Sequence, residues 1–194
     1  MSDMKIIIEG SGKHCHLTKE TFAVLFGEGA ELDVKKMLSQ PGQFASSCKV
    51  TVIGPKGETK MSVLGPFRKA NQVELSFTDA RSLGLECPIR MSGDLKGSAS
   101  CKLVGPAGSV ELPEGAIIAL RHCHISPADG ENWGIKTGDM VMVKCGEGCG
   151  RTLIFDDVVA RVGPDHATFM HVDYDEINAA ALFGKDPVGE IIKK

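Results

Sequence analysis

Arg121-His122-Cys123-His124-Ile125-Ser126 repeats, 108 residues further along the chain, the pattern of Lys13-His14-Cys15-His16-Leu17-Thr18. Each copy runs basic, His, Cys, His, aliphatic, hydroxyl, and together they hold four of the six histidines in the protein. In an extended strand residues i and i+2 point to the same face, so the two imidazoles of each copy converge on one point while the cysteine faces the other way. That is metal-ligand geometry, and a doubled pattern favours a metal site that uses both pairs over two chance decorations. The hydroxyl residue after each second histidine, Thr18 or Ser126, can cap a helix that starts at once. Each triplet therefore reads as a strand end that gives way to a helix.

Outward from these two copies the chain reads as short strands broken by Gly and Pro. Met4 to Ile8 is an apolar run suited to a buried strand. Thr18 to Phe26 reads as a helix with Phe22, Leu25 and Phe26 on its apolar face and Gly27 or Gly29 as its stop. Leu38 to Phe44 carries Pro41-Gly42 and reads as a loop. Gly54-Pro55-Lys56-Gly57 and Gly105-Pro106-Ala107-Gly108 match, and Gly65-Pro66 and Gly163-Pro164 echo them. Proline lacks the N–H a central ladder needs, so each marks a strand end. The strand Gln72 to Leu75 leads into a short helix capped by Thr78 and stopped by Gly84. Ser126-Pro127-Ala128-Asp129 joins a cap, a proline at the first helical position and an acid, a strong helix start, with Gly134 as its end. Met140 to Cys145, Arg151 to Phe155, Val158 to Val162 and Ala167 to Val172 read as strands. Asp173-Tyr174-Asp175-Glu176 caps a helix through Leu182 with Gly184 as the stop, and residues 184–194 read as a weak amphipathic helix. Many short strands with turn signals between them suggest barrels or sandwiches.

Composition narrows the function classes. With 194 residues, 42% of them hydrophobic, the chain can bury a core. A net charge of −3, a pI near 6.1 and scattered basic residues argue against a nucleic-acid partner. There is no apolar run of membrane-spanning length and no secretory signal, so a soluble, cytoplasmic protein is expected. Seven cysteines without a dense framework fit reduced thiols. Cys145-Gly-Glu-Gly-Cys149 reads as a loop rather than a metal knuckle, since no second pair stands at zinc-ribbon spacing.

The remaining ligands are sought at the same structural station. His171 ends a strand before an N-cap, as the triplets do, and completes a three-histidine set with His122 and His124. His166 sits in a Pro-Asp-His turn and reads as solvated. For His14 and His16 a carboxylate is the natural third zinc ligand. Glu74 stands out, although its position in a strand by itself favours an outward-facing acid.

The chain also resembles the PduL-type phosphotransacylases, or phosphate propanoyltransferases, over roughly residues 4 to 181. The resemblance is carried by His14-Cys-His-Leu17, Leu38-Ser-Gln-Pro-Gly-Gln-Phe44, Leu64-Gly-Pro-Phe-Arg68-Lys69, Gln72-Val-Glu74, Thr78-Asp-Ala80, Ser82-Leu-Gly84, Ser92-Gly-Asp-Leu95, Arg121-His-Cys-His124, Leu153-Ile-Phe-Asp156 and Met170-His-Val-Asp173. It implies a mainly β fold of two antiparallel β-barrels capped by short helices. One domain would span residues 12–119, and the other residues 1–11 and 120–194, with the N-terminal strand joining the C-terminal barrel.

The resemblance further implies reversible acyl transfer between coenzyme A and inorganic phosphate, with acetyl or propionyl as the acyl group. It implies two zinc ions per chain where the barrels meet, one on His14, His16 and Glu74, the other on His122, His124 and His171. Arg68 would engage phosphate, and the loop bearing Gln43 and Phe44 would lie near coenzyme A. Lys13, Arg81 and the tail 182–194 depart from the family pattern. The expected partners are the small-molecule substrates acyl-CoA and phosphate, with no nucleic acid or membrane. A homo-oligomer is compatible with the sequence. Association with a bacterial microcompartment is not favoured, because only Met1-Ser2-Asp3 precede the first strand. A metal-dependent hydrolase and a non-enzymatic metal-binding scaffold are the other classes these residues would suit.

Overall fold

A computed structural model describes residues 4–184 and 187–194. By its contacts the chain divides into two compact units. One comprises Gly12–Leu38 and Gly42–Ala119, and the other the described part of Met1–Ser11 with Ser39–Pro41 and Leu120–Lys194. The tripeptide Ser39–Pro41 leaves the first unit and belongs to the second.

The first unit is a closed ring of six strands. Strand β2 (His14–His16) lies between β5 (Glu58–Gly65) and β6 (Gln72–Leu75), and the ring continues through β9 (Ser109–Ala119), β8 (Ala99–Val104) and β4 (Phe44–Ile53) back to β5. Two short strands, β3 (Lys36–Met37) and β7 (Ile89–Arg90), extend it at β4 and β9. The second unit is also a closed six-strand barrel. In order around the ring it contains β1 (Lys5–Ser11), β13 (Phe169–Asp173), β10 (His122–Ile125), β12 (Leu153–Val162), β11 (Met140–Cys145) and β14 (Val188–Lys193).

The two rings share one pairing scheme. In each, the histidine strand runs parallel to one neighbour, β5 or β12, and antiparallel to the other, β6 or β13. In each, a second parallel pair follows, β6 with β9 or β13 with β1, and the remaining three pairings are antiparallel. The barrels are thus mainly antiparallel with two parallel pairings apiece. Matching strand to strand makes β1 the counterpart of β9. Each precedes a histidine strand in sequence yet closes the other histidine strand's barrel. The N-terminal strand therefore belongs to the C-terminal barrel, where it pairs with β13 and β14.

Alternation along the strands builds both cores. Val50, Val52, Met61, Val63, Val73 and Leu103 fill the first with Cys15, and Ile6, Ile8, Val141, Val143, Val158 and Met170 fill the second with Cys123. A fully buried aliphatic side chain of this kind contributes about 1.5–3 kcal/mol. Helices α1 (Lys19–Phe26) and α2 (Phe77–Leu83) belong to the first unit, and α3 (Pro127–Trp133) and α4 (Tyr174–Ala179) to the second. The matched Gly-Pro turns serve the first pair. The N–H of Lys56 donates to the carbonyl of Leu83 at 2.9 Å, and that of Ala107 to the carbonyl of Leu25 at 2.9 Å, so each turn satisfies a helix C-terminus. Glycine is required at both turns. A Cβ on Gly54 would stand 2.4 Å from Leu83 O, and one on Gly105 would stand 2.3 Å from Leu25 O.

Several local expectations are corrected. The cap of α2 is Ser76, not Thr78, and its side chain accepts from the N–H of Asp79. The stretch read as two strands, 151–155 and 158–162, is one strand β12 that carries Asp157 at φ 53. Helix α4 ends at Ala179, short of Leu182. Phe44 opens β4 instead of ending a loop. The C-terminal tail holds a strand, β14, paired to β1 and β11, where a weak helix was expected. Strand pairing to remote segments outweighs the weak local propensity there. Residues 1–3, and residues 185 and 186 of the tail, lie outside the described residues.

Candidate metal centres

The two histidine strands present their ligands in the same way. Cys15 and Cys123 are fully buried in their cores, which turns the flanking imidazoles to the other face. Burial pushes the Cys123 thiol up to about 12 and raises Cys15 still further, so both stay protonated. Caps then hold the strand ends. The Thr18 side chain accepts from the N–H of Thr21 and that of Ser126 from the N–H of Asp129. At the same cap residues, the backbone N–H of Thr18 donates to Asn71 Oδ1 at 2.9 Å and that of Ser126 to Thr168 Oγ1 at 3.0 Å. Asn71 and Thr168 occupy matching positions just before β6 and β13.

In the first barrel, His14 stands directly opposite Glu74 in the β2–β6 register, and His16 stands opposite Gln72. Glu74 Oε2 lies 3.4 Å from His14 Nε2. Its other oxygen, Oε1, accepts from Gln72 Nε2 at 2.5 Å and from Ser92 Oγ at 3.3 Å. The carboxylate is therefore held by one oxygen with the second aimed at the histidine, the orientation of a supported monodentate ligand. Glu74 is 9% exposed, so the outward-facing alternative does not apply. Gln72 Oε1 accepts from the N–H of Gly93 at 2.7 Å, and Arg68 Nη1 donates to Ser92 Oγ at 3.0 Å. Ser92 thereby links the guanidinium to the carboxylate.

In the second barrel the same register puts His122 opposite His171 and His124 opposite Phe169. His122 Nε2 and His124 Nε2 are 3.1 Å apart, and the His171 ring centroid is 5.4 and 5.1 Å from theirs. In each barrel the first histidine uses Nδ1–H to donate to the carbonyl two residues earlier, His14 to Gly12 and His122 to Leu120, both at 2.8 Å. This puts the Nε2 lone pair on the side of the cluster.

Both clusters suit a metal ion. His14, His16 and Glu74 each offer one ligand atom, and so do His122, His124 and His171, with all three atoms of a set within 4.8 Å of one another. Buried His16 Nδ1, His124 Nδ1 and His171 Nε2 have no hydrogen-bond partner, and a buried polar atom left so is costly unless something else engages it. Burial, then the charges of His14 and Arg68, drives the His16 pKa down to about 3. Burial, then His122, His171, His166 and Arg161, drives His124 to about 2. Imidazoles neutral at ordinary pH are what a metal requires. For His14 burial acts downward, but the Glu74 carboxylate and the Gly12 carbonyl outweigh it and the net shift is upward. Two nitrogens with a carboxylate, or three nitrogens, suit zinc.

The loop residues stand apart from this chemistry. The Phe44 ring lies over Gly65, its partner in the β4–β5 register, where a glycine Cβ would come within 2.1 Å of the ring. An aromatic covering a strand glycine in this way is a packing device. Gln43 accepts from the N–H of Leu38 through its carbonyl at 3.0 Å. His166, expected in solvent, is half-buried, its ring 4.4 Å from that of His124 and its Nδ1 2.7 Å from the carbonyl of Arg161. Sequence reasoning also passed over Gln72, Ser92 and Glu9, whose Oε2 lies 3.3 Å from His171 Nε2. Their importance depends on non-local pairing, and the only local signal was that Gln72 and Ser92 fall in blocks shared with the family.

A model of the phosphate propanoyltransferase family matches residues 7–183. The chain is 47% identical over 188 residues to the phosphate propanoyltransferase of Listeria monocytogenes, spanning 96% of this chain and 87% of that protein. It is 49% identical over 178 residues to that of Thermotoga maritima, 91% of this chain and 84% of the other. With that of Salmonella typhimurium the identity is 48% over 171 residues, 88% and 80% respectively. Two barrels built to one pairing scheme, with a ligand cluster at the same register in each, are thus the scaffold of an acyltransferase, and the chain belongs to the phosphate propanoyltransferase family.

Proposed function

We propose that the protein transfers a short acyl group, acetyl or propionyl, reversibly between coenzyme A and inorganic phosphate, using two zinc ions per chain. His14, His16 and Glu74 would hold one ion, and His122, His124 and His171 the other. The observation that carries the reading is the repetition of a three-ligand cluster at the same strand register in a member of this family. Zinc bound there would supply Lewis acidity to a thioester carbonyl and positive charge to phosphate and to a departing thiolate.

The chain's own residues do the rest. Arg68 offers a planar fork of donors to a phosphate dianion, and Ser92 fixes that fork through Nη1. Gln72 and Ser92 hold the Glu74 carboxylate in one orientation and keep its second oxygen for the metal side. The first histidine of each triplet is locked in one tautomer by a backbone carbonyl. Cys15 and Cys123 face the cores and remain protonated, so neither is a nucleophile. Direct attack follows: a phosphate oxygen forms the bond to the acyl carbon, the carbon–sulfur bond breaks, and the coenzyme A thiolate leaves and takes a proton from solvent. The segment from Ser39 to Phe44, a loop through Gln43 and then the first residue of β4, is proposed to border the coenzyme A path.

The test is thiol release from acetyl-, propionyl- and butyryl-CoA with and without phosphate. Release that depends on phosphate and favours the shorter chains is expected. Release independent of phosphate would make the protein a metal-dependent hydrolase, and no release would leave a scaffold. No helix among the described residues is long and apolar enough to cross a membrane. A cytoplasmic workplace is proposed.

A further inference from the structure

The hydroxyl of Ser92, in the turn after β7, meets three side chains at once. Arg68 Nη1 lies 3.0 Å from Oγ, Gln72 Nε2 2.8 Å and Glu74 Oε1 3.3 Å. The N–H of Gly93 can only donate, and it does so to Gln72 Oε1 at 2.7 Å, which decides which end of that amide is the oxygen. A guanidinium and an amide NH2 have only hydrogens to give, and an ionised carboxylate has only lone pairs. A hydroxyl has two lone pairs and one proton. Both lone pairs of Ser92 therefore go to Arg68 and Gln72, and its proton goes to Glu74. The two hydrogens of Gln72 Nε2 are likewise committed, one to Ser92 and one to Glu74 Oε1 at 2.5 Å.

Every proton in this chain of bonds has one assigned direction, so a change of charge at one end is felt at the other. A cation beside Glu74 Oε2 draws charge out of the carboxylate, and Oε1 then pulls less on the Ser92 proton. The Ser92 oxygen becomes a poorer acceptor, and the Arg68 guanidinium keeps more of its donor strength for an anion. In the other direction, an anion on Arg68 offsets the guanidinium charge, loosens its hold on Ser92 and returns charge to Glu74. The two effects have the same sign, as linkage between two sites requires. At the matching register positions of the second barrel, His171 stands for Glu74 and Phe169 for Gln72. With neither a carboxylate nor an amide there, this arrangement belongs to the first barrel alone.

We propose that Ser92 is a positioning residue that couples phosphate binding at Arg68 to metal binding at Glu74, so that each raises the affinity for the other. The coupling through Ser92 reaches the ion of the first barrel and not that of the second. This rests on the reading above of two zincs and a phosphate-binding Arg68, and adds to it a linkage between phosphate and one of the two ions.

The test measures zinc affinity of the purified full chain in a chelator buffer that fixes the free ion, with and without inorganic phosphate. A His122→Ala background leaves the first site to be read. There phosphate should raise zinc affinity by about 5-fold, the lower end of the range for coupled sites, and adding Ser92→Ala should cut that ratio by about twofold or more. Ser92→Thr keeps the hydroxyl and should restore it. A merely structural role would lower affinity equally with and without phosphate and leave the ratio unmoved. In a His14→Ala background, which leaves the second site, Ser92→Ala should not alter the response to phosphate. Should Ser92→Ala melt early, Ser92→Cys, close in volume but only a weak donor and acceptor, takes its place. A ratio at the first site that is absent from the start or survives Ser92→Ala, or a response at the second site that changes with it, would overturn the coupling and leave the two-zinc reading intact. An unaltered protein that binds no zinc would instead overturn that reading, and this proposal with it.

Discussion

His14 and His122 occupy the same place in their barrels, each at the start of a histidine strand and each bonded through Nδ1 to the carbonyl two residues back. Across the ladder His14 meets a glutamate and His122 meets a histidine. Strand register thus decides where three ligand atoms converge, and the residue type at one register position decides the charge of the site. The polar surroundings follow the same division. The glutamate of the first barrel is braced by Gln72 and Ser92, which also contacts Arg68, whereas the three histidines of the second are joined by His166 and Glu9.

The largest expected effect asks whether both clusters are needed. His122→Ala should cost about one zinc equivalent and lower transfer by about 10³-fold, the scale of removing a preorganised electrostatic group from an acyl-transfer site. His14→Ala should do the same. Metal analysis beside steady-state rates checks both, and full activity in either variant would mean that its barrel is only a scaffold. Arg68→Lys comes next. An ammonium cannot reproduce the fork held by Ser92, so kcat/KM for phosphate should fall about 10²-fold. The KM for the acyl-thioester should barely change, and an equal loss for both substrates would detach Arg68 from phosphate.

Exchanging the residue that distinguishes the barrels is a milder change. Glu74→His leaves Gln72 and Ser92 without their carboxylate, and His171→Glu adds one to the other site. Each should retain two zincs, with affinity at the altered site about 10-fold lower. Zinc loss from the unaltered site would show that the clusters do not act separately. Removing metal altogether should lower stability, because zinc would bind only the folded arrangement of these strands. With zinc at about a hundred times its Kd, each site contributes about 2.7 kcal/mol, so chelation should lower Tm by about 5–10 °C per site in a chain of this size. Calorimetry with and without chelator measures it.

Phe44→Ala is expected to act least on chemistry. Its ring covers Gly65 and is only half-buried, so truncation should cost about 2 kcal/mol, less than a full core aromatic. Any rise in the KM for acyl-CoA beyond that in KM for phosphate would tie the loop to coenzyme A, as would the same split in Gln43→Ala.

Local chemistry in the sequence was enough for much of this. Alternation of His and Cys determined that the imidazoles share a face and that the thiols enter the core. Thr18, Ser126 and Asp173 each announced a helix start, and the Gly-Pro turns announced strand ends. These features depend on residues a few positions apart, where side-chain direction and capping leave few choices. The family resemblance added Glu74 and Arg68, which pattern alone could not select.

The tertiary structure decided what depends on remote partners. Whether Glu74 faces His14 or solvent is a matter of β2–β6 register, and a slip of one residue would send it to the opposite face. The tail became β14 because β1 and β11 each offered it an unpaired strand edge, a fact invisible in its own composition. Glu9 follows the apolar run Met4 to Ile8 in sequence and carries no signal of its own there. It reaches His171 only because β1 leaves its own half of the chain to run parallel to β13, and that exchange is settled by closure of two rings whose strand edges must all be paired.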